Sequence, residues 1–269
     1  MKAEQAKKLS NEALDKLSQA LAQGRSDALT SYLKAVALFH SYSFGNIMLI
    51  VSQRPDATQV AGFRTWKKLG RFVNKGEKGI VIIAPMMIRS KEEDSSNRDG
   101  ESDAQLRFRA VYVFDVSQTD GEALPEPSSV EGDPGQYSDR LQAFVAASGI
   151  KLDEAECLGG ADGVSKGGTI VLRSGLSPAK HFSVLVHETA HELLHHSGDR
   201  LASKVVRETE AEAVAFVVNE AIGLRNGSAA ADYIQLYDGD SATLAASLDR
   251  IQKTATAIIA AITIEEGQP

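Results

Sequence analysis

The chain has 269 residues, and because domains usually run to about 100–150 residues, that length predicts two of them. A content of 43% hydrophobic and 24% charged residues suits a globular protein with a core, while 7 prolines and 6% aromatics exclude collagen-like and Pro-rich disordered classes. The single cysteine, Cys157, excludes an internal disulfide and a cysteine-built zinc ribbon.

The net charge of -7 is unevenly spread. Residues 1–89 hold 14 of the 29 basic side chains and 6 of the 36 acidic ones, leaving 15 against 30 for the remainder. Such asymmetry predicts a basic binding module joined to an acidic one. The start, MKAEQAKKLSNEALDKL, lacks the apolar stretch of a secretory signal. No apolar run approaches the ~20 residues that span a bilayer. A cytoplasmic protein with no membrane partner is expected.

In chain order, Leu9, Ala13, Leu17 and Leu21 recur at helical spacing, and a second helical pattern covers Asp27 to His40. Gly79 to Ala84 and Phe108 to Val116 are β-branched or aromatic runs, predicted to pair as strands across a polar, mobile insertion at Ser90 to Ala104. Gly121 to Gln136 concentrates Pro, Gly, Ser and acid and is expected to be a linker. The expected division is therefore 1–120, linker 121–137 and 138–269. Gly168 to Leu172 is a predicted strand. Ser177-Pro178 then signals a helix start, with an end near Gly198. Further helices are predicted over Ser203 to Gly223 and Ser241 to Ile262, the last with Leu244, Leu248, Ile251, Ala255, Ile258 and Ile262 on one stripe. The fold class is α+β: a basic α+β domain, then a mostly helical domain with a small sheet.

The sharpest chemical signal is His187-Glu188-Thr189-Ala190-His191. Two histidines four apart on a helix share a face, so both imidazoles can reach one ion. Glu188 lies beside them, placed to accept a proton from a metal-bound water. A catalytic zinc needs a third protein ligand and an open position. Arg207-Glu208-Thr209-Glu210-Ala211-Glu212 offers it: Glu208 and Glu212 share a face, so one can ligate while the other orients a histidine. Glu210 competes, but it lies on the stripe with Val206, Val214 and Val217, so Glu208 is preferred. His195 and His196, at the helix end, and Tyr233 and Tyr237 are weaker candidates for stabilising an oxyanion. Histidine and carboxylate ligands suit zinc without excluding manganese or another divalent ion.

Between Thr58 and Ile80, Arg64, Lys67, Lys68, Arg71, Lys75 and Lys78 face a single acid, Glu77, with Phe63, Trp66 and Phe72 interleaved. Cations beside rings are what single-stranded nucleic acid needs, charge tracking phosphates and rings stacking on bases. The competing reading is an amphipathic helix whose aromatics are core.

Several blocks resemble the N-terminal domain of ArdC-type antirestriction proteins: Tyr42-Ser43-Phe44-Gly45-Asn46, Gln53-Arg54-Pro55-Asp56-Ala57-Thr58, Gly62 to Gly70, Lys75 to Ile80, and Val113 to Thr119. The second half resembles the zincin-type metallopeptidase domain of that family through His187 to His191 and Glu208 to Ala213. Asp232 to Ile234 and Arg250 to Lys253 resemble its closing helices. The resemblance implies a mobile-element protein that shields single-stranded DNA from restriction. It adds Arg54 to the DNA-binding set and implies a gluzincin-like fold. In it His187, His191 and Glu208 are ligands, Glu188 is the base and Glu212 orients a ligand. One departure is Glu212 itself, where gluzincins often carry Asp. The alternatives are a DNA-coating protein whose metal is structural, closed by a fourth ligand such as His195 or Glu212; an acidic DNA mimic; and a repressor-cleaving peptidase. A peptide substrate could add to the Gly168–Leu172 strand.

Overall fold

The computed structural model describes residues 3–23, 26–89, 104–122, 132–195, 204–224 and 241–263. Residues 90–103 of the expected insertion, 123–131 of the expected linker, and His196, Gly198, Tyr233 and Tyr237 lie outside this set. Contacts divide the chain into two compact units: Met1–Ala13 with Gly45–Leu124, and Leu14–Phe44 with Pro125–Pro269. Two helices, α1 (Ala3–Ala22) and α3 (Phe44–Gln53), contribute residues to both units. The class is α+β, as expected. No helix among the described residues is long and apolar enough to cross a membrane.

The first unit is built on β3 (Ile80–Arg89) and β4 (Ala104–Asp115), antiparallel from Ile80↔Val113 to Arg89↔Ala104. With β1 (Val60–Gly62) they form a sheet of order β1-β4-β3. Helix α4 (Phe63–Lys68) leads to β2 (Arg71–Val73), which pairs with β5 (Thr119–Gly121). Ile80, Val81 and Ile82 are all buried, so both faces of β3 are covered there, and its sequence is a continuous apolar run rather than an alternation. Val81 packs with Ala6 and Leu49 on one face, bordered by Leu9, Ile83 and Ala110.

The outer edge of β3 is closed by side chains. Gln53 and Asn46, seven residues apart on α3, share a helix face. Gln53 donates to Val81 O (2.9 Å) and accepts from Val81 N (3.0 Å). Asn46 does the same with Ile83, at 2.9 and 2.8 Å. Two side-chain amides thus replace a neighbouring strand and block pairing with another chain.

The Val113–Thr119 block is a second hub. Asp115, 1% exposed, accepts from the backbone of Thr58, Gln59 and Ser117. It caps a 3-10 turn over Val116–Gln118 and fixes the chain entering β1. Burial alone would raise its carboxyl pKa, but these hydrogen bonds outweigh burial and hold it below its usual value.

The second unit contains α2 (Ser26–Leu38), α5 (Gln136–Ala147), β6 (Lys151–Ala155), β7 (Gly163–Ser165), β8 (Thr169–Arg173), α6 (Pro178–His195), α7 (Lys204–Ala221) and α8 (Ser241–Thr263). Its sheet has the order β6-β8-β7, with β6 parallel and β7 antiparallel to β8. Proline opens α6, where its missing N–H has no intrahelical partner to lose. The α8 stripe is buried at every expected position. Beside it, Gln252 and Thr256 donate to the carbonyls of His40 and Tyr42, which follow the end of α2.

Gln53→Ala leaves the N–H and C=O of Val81 unpaired beneath α3, and we expect a loss of about 1–3 kcal/mol in urea unfolding. Asp115→Asn is expected to destabilise by a similar amount at neutral pH. A carboxyl held low in the folded state contributes stability above its unfolded value near 3.8, lost as pH falls through the folded value. The variant should therefore show a flatter acid limb in pH-dependent melts.

Candidate metal centre and basic face

Helix α6 carries two functional rows. Ser183, His187, His191 and His195 follow one another at four-residue spacing, and Val184, Glu188 and Glu192 form the adjacent row. Phe182, Leu185, Val186 and Ala190 face the core, which fixes the rotation of both rows. Helix α7 packs against α6 and presents Glu208 and Glu212 toward the histidine row. Two residues on from Glu208, Glu210 points the other way. It is fully buried, pairs with Arg250 and accepts from Ser247 on α8.

The candidate ligand atoms converge. His187 Nε2 and His191 Nε2 are 3.1 Å apart, and Glu208 Oε2 lies 3.6 Å from the first and 3.4 Å from the second. These three form the one cluster among the described residues able to hold a metal. A triangle with such edges has its centre about 2 Å from each corner, which suits ligands at zinc-like distances of about 2.0–2.2 Å. Glu212 Oε2 lies 3.2 Å from His187 Nδ1, where it orients the ring from behind. Glu210 is excluded from the cluster by its pairing with Arg250. His195, on the same row, is turned toward Glu210: its side chain is 6% exposed and its Nε2 lies 3.8 Å from Glu210 Oε2.

Electrostatics around the cluster fit a cation. Burial lowers His187, yet Glu212, Glu188 and Glu208 together outweigh it and its pKa rises. Burial and the neighbouring His187 push His191 down to about 4, which favours a neutral imidazole at neutral pH. Burial raises Glu188, and the nearby Glu208 adds to that; His187 and the backbone N–H of Ser165 hold it back.

Recesses of about 550 and 560 Å³ flank the centre, both lined by Gly163, His187, Glu188 and Glu208. Strand β7 lies directly over the Val184–Glu188–Glu192 row. A Cβ on Gly163 would come within 2.6 Å of Val184 Cγ1 and 2.8 Å of Glu188 Cγ, so only glycine allows this approach. Ser165 hydrogen-bonds Glu188 through its backbone N–H, so this edge of β7 faces the centre.

The basic set is less uniform than its sequence. Trp66 is 2% exposed and donates Nε1–H to Phe114 O, so it is core, with no ring face available for stacking. Arg71 spends its guanidinium on Thr119, Gly121 and Glu122, tying β2 to β5. Arg54 is half-buried and donates to Ser117 Oγ. Arg64, Lys67, Lys68, Lys75 and Lys78 are exposed. So are Phe63, Phe72, Phe108 and Tyr112, each more than half, and the last two were not flagged by the sequence.

Residues 4–114 match the family model for the N-terminal domain of the anti-restriction factor ArdC. Over those residues the chain is similar to that domain. It is 26% identical to an uncharacterized protein of Bacillus anthracis, pXO2-81, covering 83% of this chain and 46% of that one. The chain thus spans about half the length of the curated relative it matches. Among solved structures it is similar to Mn(II)-bound ArdC from the R388 plasmid, with a TM-score of 0.57 and 19% identity over 95% of this chain and 98% of that one. The metal-free form of that protein gives a TM-score of 0.49 and 22% identity over 82% and 85%. The likeness to the Mn(II)-bound structure establishes a shared fold.

Gly163→Ala should force β7 away from α6, and we expect a loss of about 1–3 kcal/mol in chemical denaturation from the overpacked contact. Gly149→Ala offers a comparison: its φ of +74° gives backbone strain, but no atom lies within 4 Å of the added Cβ.

Proposed function

We propose that this chain is an ArdC-type antirestriction protein of a mobile element, joining a single-stranded-DNA-binding unit (residues 1–13 and 45–124) to a divalent-metal peptidase unit (residues 14–44 and 125–269). The convergence of His187 Nε2, His191 Nε2 and Glu208 Oε2, with Glu188 alongside and unligated, carries the peptidase reading. Three protein ligands leave a coordination position open for water and substrate, which is the catalytic rather than the structural pattern. Of the two residues considered as a fourth ligand, His195 Nε2 lies toward Glu210, 3.8 Å from its Oε2, and Glu212 lies behind His187. Zinc and manganese both suit two imidazoles and a carboxylate; the R388 protein was solved with Mn(II).

A metal bound here would acidify its water toward a pKa near ~7 and polarise the scissile carbonyl. Glu188 accepts the water proton at its carboxylate. Its burial makes it a stronger base than an exposed glutamate and lets it return the proton to the leaving amine. Glu212 holds the His187 ring in orientation. The peptide aligns along β7, not along the Gly168–Leu172 region first considered, because β8 is central in its sheet and both its edges are taken. On the first unit, exposed Arg64, Lys67, Lys68, Lys75 and Lys78 track phosphates, and Phe63 and Phe72 replace Trp66 as stacking platforms.

Zinc or Mn(II) at 100 times its dissociation constant should stabilise the wild type by about 2.7 kcal/mol, and His187→Ala should lose that increment. Glu188→Ala should keep the increment but lose hydrolysis. In an antirestriction assay run beside DNA binding, loss of protection in Glu188→Ala with binding intact supports a peptidase; full protection contradicts it. Single-stranded DNA affinity should fall with salt at a log–log slope of about 0.7 per phosphate contacted. Phe72→Ala is expected to weaken it by about 1–3 kcal/mol in fluorescence titration.

A further inference from the structure

Glu192 follows the second histidine of the motif, is 7% exposed, and has no place in the metal cluster. Its carboxylate instead gathers donors from the turn between β7 and β8. Ser165 Oγ donates to Oε1 at 2.7 Å, Gly167 N to Oε1 at 2.9 Å, and Gly168 N to Oε2 at 2.7 Å. The turn is closed further by Lys166 N donating to Thr169 O at 2.9 Å. Backbone N–H bonds to a buried carboxylate are among the shorter and firmer hydrogen bonds a protein makes.

The position of those donors matters more than their number. Val184, Glu188 and Glu192 lie on one row of α6, and β7 runs along that row. At one end Gly163 is pressed against Val184 and Glu188, where no Cβ fits. At the other end Glu192 grips Ser165, Gly167 and Gly168. The strand is therefore pinned at both ends to the helix that carries His187, His191 and Glu188. Any displacement of β7 relative to the metal centre must break the Glu192 bonds or open the Gly163 contact.

We propose that Glu192 is a positioning residue, which docks the β7–β8 turn onto α6 and so sets the strand edge along which an extended peptide substrate aligns with Glu188. The proposal rests on the peptidase reading above. It assigns the carboxylate a role through β7 and none in holding the metal or moving a proton. Glutamine cannot substitute, because its amide would set a donor against donors of the turn. Aspartate is a methylene too short to reach them.

The test uses the full chain loaded with zinc, comparing wild type with Glu192→Gln on a library of proteome-derived peptides whose cut products are sequenced by mass spectrometry. On the best-cut peptide, KM should rise about tenfold or more with kcat within about threefold, since a displaced strand edge weakens ground and transition states alike. Bound zinc should stay at wild-type stoichiometry. Amide exchange at Gly167 and Gly168 should speed up by about 100-fold, reporting release of the turn. Ser165→Ala, which removes one donor of three, should shift KM in the same direction by less, and decides the matter if Glu192→Gln does not fold. Unchanged KM and exchange, or loss of zinc with activity, overturns the proposal while leaving the peptidase reading standing. If the wild type cuts no peptide, the peptidase reading fails and the substrate role of Glu192 fails with it; the exchange measurement then decides only whether the clamp exists.

Discussion

The chemistry of the second unit depends on the pitch of one helix. Residues four apart on α6 stack into rows, and two neighbouring rows do different work. The His187–His191 row meets Glu208 of α7, and the Val184–Glu188–Glu192 row lies under β7. The core face of α6, with Phe182, Leu185, Val186 and Ala190 buried, keeps both rows from rotating. A candidate metal centre, a buried base and a strand edge are thus held in one frame by this helix and the β7–β8 turn it grips. Rigid support of this kind is what a hydrolytic centre needs, because misplacement by about 1 Å can cost roughly a hundredfold in rate.

The acidic residues of α7 show how periodicity assigns roles to chemically identical side chains. Glu208 and Glu212 are one turn apart and both reach the histidines, one near the two Nε2 atoms and one at His187 Nδ1. Glu210, between them in sequence, is rotated to the opposite side. There its charge is met by Arg250, at a position where an unpaired carboxylate would be costly. Like charges at 208 and 212 repel in isolation. A cation held by the two histidines would turn that repulsion into a binding arrangement.

Much of this was legible before the structure. The α8 stripe, the proline at the start of α6, the paired strands β3 and β4, and the choice of Glu208 over Glu210 all follow from spacing alone. What stayed hidden depends on tertiary partners. Trp66 reads as a stacking ring because Arg64, Lys67 and Lys68 surround it, but a periodic cluster does not reveal which member turns inward. Arg71 reads as a free cation, since nothing local indicates that β5 will come beside it. Gly163 is far in sequence from Val184 and Glu188, as Glu192 is from Ser165, Gly167 and Gly168, and only the docking of β7 on α6 brings each set together. Residues 14–44 cluster by contact with the C-terminal unit, an association that linker composition cannot show because it marks only where the backbone is punctuated. Asn46 and Gln53 are a milder case: both stand within family-like blocks, but their work in closing the β3 edge appears only with the fold.

The most direct test of the central claim is anomalous diffraction from crystals of the full chain grown with Mn(II). The account predicts one peak bonded to His187 Nε2, His191 Nε2 and the Glu208 carboxylate, with Glu212 still behind His187 and Glu188 unbound. A peak held by Glu210 or His195, a centre closed by four protein ligands, or no peak at these histidines would contradict it.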